Sequence, residues 1–210
     1  MYIVFKTDRC LYTNVVSNLR SHTFKILIFL IILAASCKSG LQEEDFDDLK
    51  TTELIIHLLK VEDNYLLSSS CISEGPRAIS TPMTENFKGF VKKNLNITDT
   101  IHLNKQMRLH SDFKISNTLA GDLKLLTEES FENLQQLSLS EGLSFWDWLD
   151  ENCQNGYLSI SKPIFNETYD LAYVQKGTVC GRLCGGGGAF IFKFENGIWK
   201  EIKILSSWVS

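Results

Sequence analysis

The chain has 210 residues, of which 44% are hydrophobic and 22% charged, and its formal net charge is −4. That share of apolar residues excludes a disordered chain, and the length suits one domain with an adequate core. The acidic balance, with no basic cluster longer than Lys92-Lys93 after residue 37, excludes a nucleic-acid binder, whose affinity comes from lysines and arginines that neutralise phosphates.

Arg20 and Lys25 precede an uncharged run of ten residues, Ile26 to Ala35, which leads through Ser36 to Cys37. A bilayer span needs about 20 residues, so the run has the length of a secretory signal core instead. An uncleaved anchor or a buried helix is the competing reading. Ala34-Ala35-Ser36-Cys37 resembles the cleavage box of bacterial type II signal peptides, with Ala34 where that family usually has Leu. The resemblance implies that residues 1–36 are removed and that Cys37 is diacylated, which anchors the protein to the cell envelope. The expected place is the outer membrane of a Gram-negative bacterium. Lys38 to Asp48, rich in acids, reads as a solvated tether over 37–48, with a single domain over 49–210. Glu43-Glu44-Asp45 also resembles a surface-export patch.

Phe46, Leu49, Ile56 and Leu59 recur near helical spacing and predict a helix that ends at Lys60, with His57 as a surface or packed residue. Tyr65-Leu66-Leu67 reads as a strand and Gly75-Pro76 as a turn. Thr84 is placed to cap a helix carrying Phe87, Phe90, Val91 and Leu95, and Thr127-Glu128-Glu129 to open another, to about Leu137. Leu143 to Leu149 concentrates Phe145, Trp146 and Trp148; aromatic pairs of this kind form either a sugar platform or, more commonly, core. After residue 156 the pattern changes to alternation in Tyr157 to Ser161, Leu171 to Gln175, and Phe190, Phe192 and Phe194. Asn196-Gly197 before Ile198 to Ile204 signals a hairpin with a type I′ turn. Helices first and strands last imply an α+β fold, with N-terminal helices packed on a C-terminal antiparallel β-meander.

Ser159-Ile160-Ser161-Lys162-Pro163-Ile164-Phe165, Cys180-Gly181-Arg182-Leu183-Cys184-Gly185, Asn196-Gly197-Ile198-Trp199-Lys200 and the terminal Ser207-Trp208-Val209-Ser210 occur in that order. They resemble a group of small uncharacterised bacterial proteins, many of them lipoproteins, over roughly 99–210. The resemblance implies no activity and no catalytic residue.

With Cys10 in the signal segment and Cys37 lipidated, Cys71, Cys153, Cys180 and Cys184 would meet an oxidising compartment. A turning backbone at Gly181 brings Cys180 and Cys184 within disulfide reach, and a local bridge between them is expected; Cys71 and Cys153 are either free or paired. A zinc site at Cys180 and Cys184 lacks two further ligands, and a thioredoxin-like motif lacks the spacing, so neither metal nor cofactor is expected. Gly185 to Gly188 has no Lys-Ser/Thr and no following helix, which argues against a phosphate loop and for a flexible connector or bulge. Three short triplets match modification patterns by themselves: Asp99-Thr100-Ile101 resembles an O-glycosylation acceptor used on exported proteins by some bacteria, and Asn96-Ile97-Thr98 and Asn166-Glu167-Thr168 match the N-glycosylation pattern.

No nucleophile, base and orienter stand out as a set. A non-enzymatic envelope module that binds a protein or glycan partner, or is structural, is the first expectation. The alternative is a hydrolase-like envelope enzyme with a site assembled from His102, His110, Asp147, Asp150 and Glu151. Acids that converge in a cleft favour the enzyme; acids on the solvent face of an aromatic core favour the binding module.

Overall fold

A computed structural model describes residues 39–60, 69–77, 85–142 and 144–210. The stretch read as a signal segment, Cys37, the strand expected at Tyr65-Leu66-Leu67 and the expected helix cap Thr84 lie outside the described residues. Asp45–Ser210 is one compact unit. No helix among the described residues is long and apolar enough to cross a membrane.

The first helix, α1 (Ser39–Lys60), already occupies most of the stretch read as a solvated tether. Its buried stripe is Asp47, Thr51, Leu54, Ile55 and Leu58, whereas Phe46, Leu49 and Ile56 are exposed. The packed face is thus rotated from the one that the apolar spacing suggests. A buried ion pair causes this: Asp47 turns inward to Lys162.

The rest of the N-terminal half contributes β1 (Cys71–Ser73), α2 (Glu85–Asn94), α3 (Thr100–Ser111), α4 (Asn117–Ala120), β2 (Lys124–Leu126), α5 (Glu128–Glu141) and α6 (Phe145–Asn152). Asp99 caps α3 by accepting from the Ile101 N–H at 2.7 Å, and Thr127 caps α5 through the Ser130 N–H at 3.1 Å. Five strands follow: β3 (Tyr157–Ile160), β4 (Ile164–Phe165), β5 (Leu171–Gly181), β6 (Cys184–Glu195) and β7 (Ile198–Val209).

The fold is α+β, and β5, β6 and β7 form the expected antiparallel meander. The sheet is nevertheless mixed, in the order β2-β1-β3-β5-β6-β7 with β4 also on β5, because β1 runs parallel to both β2 and β3. Strands β1 and β2 have only three residues each, too short for a period-two pattern to show.

Alternation along β5 and β6 serves both faces. Ala172, Val174, Phe190 and Phe192 join Leu54, Ile55, Leu58, Phe165 and Trp199 in one cluster against α1. Tyr173, Ala189 and Ile191 point the other way into a second cluster, with Phe87, Val91 and Leu95 of the α2 region and Leu103 and Met107 of α3. A third cluster sets Cys71, Leu126 and Tyr157 against Leu149 and the aromatic residues of α5 and α6. Helices therefore flank the sheet on both sides.

Both cysteine pairs are bridged. Cys180 and Cys184 span the β5–β6 hairpin, 5.0 Å apart between Cα atoms. Cys71 and Cys153, fully buried, tie β1 to the end of α6 across 82 residues, a loop whose closure is worth about 4.5 kcal/mol in the chain-entropy picture. The glycine run differs from the expected flexible connector: Gly185 to Gly188 lies inside β6, and none of these residues has positive φ. Glycine serves close approach here. A Cβ on Gly187 would meet the Lys176 carbonyl at 2.7 Å, the Gly177 Cα at 2.8 Å and the Trp208 indole nitrogen at 3.1 Å. Trp208 of β7 thus covers a strip with no side chains of its own.

Candidate functional site

The histidines and acids weighed for an enzyme sit on different helices, packed against different clusters. Asp147, Asp150 and Glu151 are exposed on α6. His102 and His110 lie on α3 with Gln106, four residues apart along one face, and that face meets the segment from Lys162 into the short strand β4, on the side where no described strand pairs with it. His102 Nε2 contacts the Phe165 carbonyl at 3.0 Å, Gln106 Oε1 accepts from the Phe165 N–H at 3.0 Å, and His110 Nδ1 contacts the Lys162 carbonyl at 2.6 Å. A carbonyl only accepts, so the ring nitrogens donate: the proton sits on Nε2 of His102 and on Nδ1 of His110.

Three side chains of one helix thereby replace a missing strand. Burial holds His110 down to a pKa of about 4, with the hydrogen bond to Lys162 opposing the shift and the Lys162 charge adding to it. Gln106 extends the seam by donating to Asp47 Oδ1 at 2.5 Å, while Asp47 Oδ2 takes the Lys162 ammonium at 2.5 Å. The seam is buried, every group in it is engaged, and its work is to fasten α1 and α3 to the sheet edge.

An open cleft lies instead between α5, α6 and the sheet, with a volume of about 460 Å³. Its walls follow from the local sequence. Glu74 accepts from the Glu128 N–H at 3.0 Å and pairs with Lys114 at 3.3 Å, so the start of α5 is pinned next to β1, and the backbone hydrogen bond holds the Glu74 carboxyl below its usual range. Gly142, with φ 70°, ends α5 and lets the chain turn into α6. Phe131 of α5 then faces Phe145 at 6.3 Å and Tyr157 of β3 at 5.6 Å. Arg77 lies over the Phe131 ring at 4.1 Å and pairs with Glu128, while Gln135 and Ser138 supply polar groups on the α5 side.

Tyr157 gives this cleft its chemistry. The residue is 7% exposed and lines the cleft, yet its hydroxyl makes no hydrogen bond to any described residue. Burial raises its pKa, opposed by the nearby Arg77 charge, so at neutral pH it is a neutral O–H donor. The residue lines an open cleft, where a ligand or water can take the hydrogen bond that its hydroxyl offers. In a second cavity, about 390 Å³ between the end of α1, α4 and Leu158, the Ser69 hydroxyl is used by Thr178 at 3.1 Å and the Asn155 carbonyl at 3.2 Å.

Sequence reading singled out Phe145 but missed Arg77, Gln135, Ser138 and Tyr157. Tyr157 was legible only as the first alternating residue of a strand, and Arg77 only as a neighbour of the Gly75-Pro76 turn. Trp146 and Trp148 are half-buried and pack on the third cluster, as core aromatics would. Among the described residues no group of three or more histidine, cysteine or acidic side chains is placed to hold a metal ion. No family model matches the chain, and neither a curated protein nor a solved structure is found to be similar to it.

Proposed function

We propose that the chain is a lipid-anchored protein of the bacterial cell envelope, held at the outer membrane through Cys37, and that its folded domain is a non-enzymatic binding module whose ligand is an envelope glycan. The anchor rests on the Ile26 to Cys37 pattern. The binding role rests on the Tyr157 hydroxyl, which makes no hydrogen bond to any described residue and lines an aromatic cleft large enough for a sugar ring. The apolar face of a pyranose suits Phe131 and Phe145, and its hydroxyls suit Tyr157, Gln135, Ser138 and the Arg77 guanidinium. Two disulfides are in keeping with an oxidising compartment. The hydrolase-like alternative is less well supported, since its histidines are committed to the backbone of Lys162 and Phe165.

The test is titration of the mature protein with glycan fractions from its own envelope, followed by NMR of the aromatic side chains. Shifts at Phe131, Phe145 and Tyr157 are expected, with affinity about 5- to 20-fold weaker in Tyr157→Phe, which removes one hydroxyl and no ring. Unshifted aromatic signals at saturating glycan, or equal affinity in Tyr157→Phe, overturn the assignment. Shifts produced only by an envelope peptide would replace the glycan with a protein partner.

A further inference from the structure

We infer that Thr100 is an O-glycosylation site, modified by a transferase of the envelope that uses a phosphate-activated sugar; this rests on the envelope reading but not on the cleft. Of the three acceptor-like triplets, the structure closes two. Asn166 is 9% exposed, and its amide nitrogen donates to Thr168 Oγ1 at 2.9 Å and Asp170 Oδ1 at 2.7 Å, while its oxygen accepts from the Asp170 and Leu171 N–H groups at 3.1 and 3.0 Å. It is the hub of the turn before β5. The hydroxyl of Thr98, which the Asn96 triplet needs, is committed to Glu167 Oε1 at 3.2 Å, and Asn96 itself sits at φ 56° in the turn after α2.

Asp99-Thr100-Ile101 is different. Asp99 and Thr100 are exposed, and Ile101 is 80% exposed, on a helix whose packed face is His102, Leu103, Gln106 and Met107. A β-branched apolar side chain in water at the first turn of a helix contributes nothing to packing and little to helix propensity. It does complete the triplet of an aspartate, a hydroxyl residue and an apolar residue. The corner is also built to stay in place. Glu167 Oε1 accepts from the Thr98 N–H at 2.7 Å and the Asp99 N–H at 2.8 Å, which holds its carboxyl down to a pKa of about 2 and presents Thr100 on a fixed backbone.

In the transfer, the Thr100 Oγ1–C1 bond forms as the bond from C1 to the donor's phosphate oxygen breaks. The phosphate leaves with the electron pair, and the hydroxyl proton passes to a base of the transferase. The experiment is mass spectrometry of the full chain expressed in its own bacterium, reading both the N-terminal peptide and the peptide that contains residue 100. A mass increment of one or more sugar residues on Thr100 is expected, absent in Thr100→Val.

Asp99→Asn gives the sharper comparison, because asparagine caps a helix as well as aspartate does. It should abolish the sugar and leave the melting temperature unchanged, an outcome that a merely structural role for Asp99 does not produce. Acylated Cys37 together with bare Thr100 overturns the glycosylation and leaves the envelope reading standing. An unacylated N-terminus with bare Thr100 overturns both, and a sugar that persists in Asp99→Asn overturns the triplet as its determinant.

Discussion

Asp47 and Lys162, 115 positions apart, meet at 2.5 Å with side chains 0% and 3% exposed, and their contact fixes which face of α1 looks inward. Burial pushes the Lys162 ammonium towards its neutral form, and the carboxylate opposes that. Removing one partner strands the other in the interior, so Asp47→Ala should cost about 3 to 5 kcal/mol in denaturant unfolding. Adding Lys162→Met to Asp47→Ala should restore most of the loss, since apolar replacement of a buried pair is often close to neutral. Single losses that simply add in the double variant would show that the two residues are not coupled.

The same contact explains what the sequence hid. Phe46, Leu49 and Ile56 set a helical period that locates α1 and its end at Lys60, but an aspartate inside a buried stripe reads as solvated until its distant lysine is known. Local chemistry was legible where it is self-sufficient. Asn196 and Gly197 have φ values of 54° and 81°, as a type I′ turn demands, and Thr127 caps α5 where its sequence suggested. Helix α3 escaped notice because its inward face carries His102, Gln106 and His110, polar residues whose partners are backbone groups about 60 positions away. The cleft was hidden for the same reason: Arg77, Phe131 and Tyr157 come from three separate elements.

Acid should expose the cost of the buried histidine. His110 has a pKa of about 4 in the fold against 6.5 for a free histidine, so between those values the unfolded chain binds a proton that the folded chain does not. Stability therefore falls as pH drops from about 6.5 to about 4, by at most about 3 kcal/mol from this group. His110→Gln retains an N–H for the Lys162 carbonyl and removes the titration. Its unfolding free energy should be flatter over that window than that of the wild type; parallel slopes would assign the acid sensitivity to other groups.

The two glycine-dependent features of the meander should fail in different ways. At Gly197 a β-branched side chain is forced into left-handed backbone, so Gly197→Val strains the turn although nothing lies within 4 Å of the added Cβ. At Gly187 the backbone is ordinary and the space is missing: Gly187→Ala drives a methyl against the Lys176 carbonyl and Gly177, and should cost about 1 to 3 kcal/mol. Trp208→Ala frees room only on the indole side. It should therefore leave the Gly187→Ala penalty largely in place, and a full rescue in the double variant would show that the tryptophan, not β5, sets the clearance.

Trp199 is the residue on which the meander's inner face turns. It is 2% exposed, with its ring 5.9 Å from Phe165 and 5.2 Å from Phe194, so it links β7 to β4 and β6 beneath α1. Its indole nitrogen is buried and makes no hydrogen bond to any described residue, so the side chain stabilises by volume and ring contacts. Trp199→Ala should then cost about 3 to 5 kcal/mol, a large part of the 5 to 15 typical of a domain. Trp199→Phe forfeits no hydrogen bond and should cost much less. Lys193→Ala, which breaks a solvent-exposed pair with Glu195 on the other face of β6, should barely move the melting temperature. A Trp199→Ala protein that melts like the wild type while losing its envelope ligand would make Trp199 a binding residue and move the site from the α5–α6 cleft to the β7 edge.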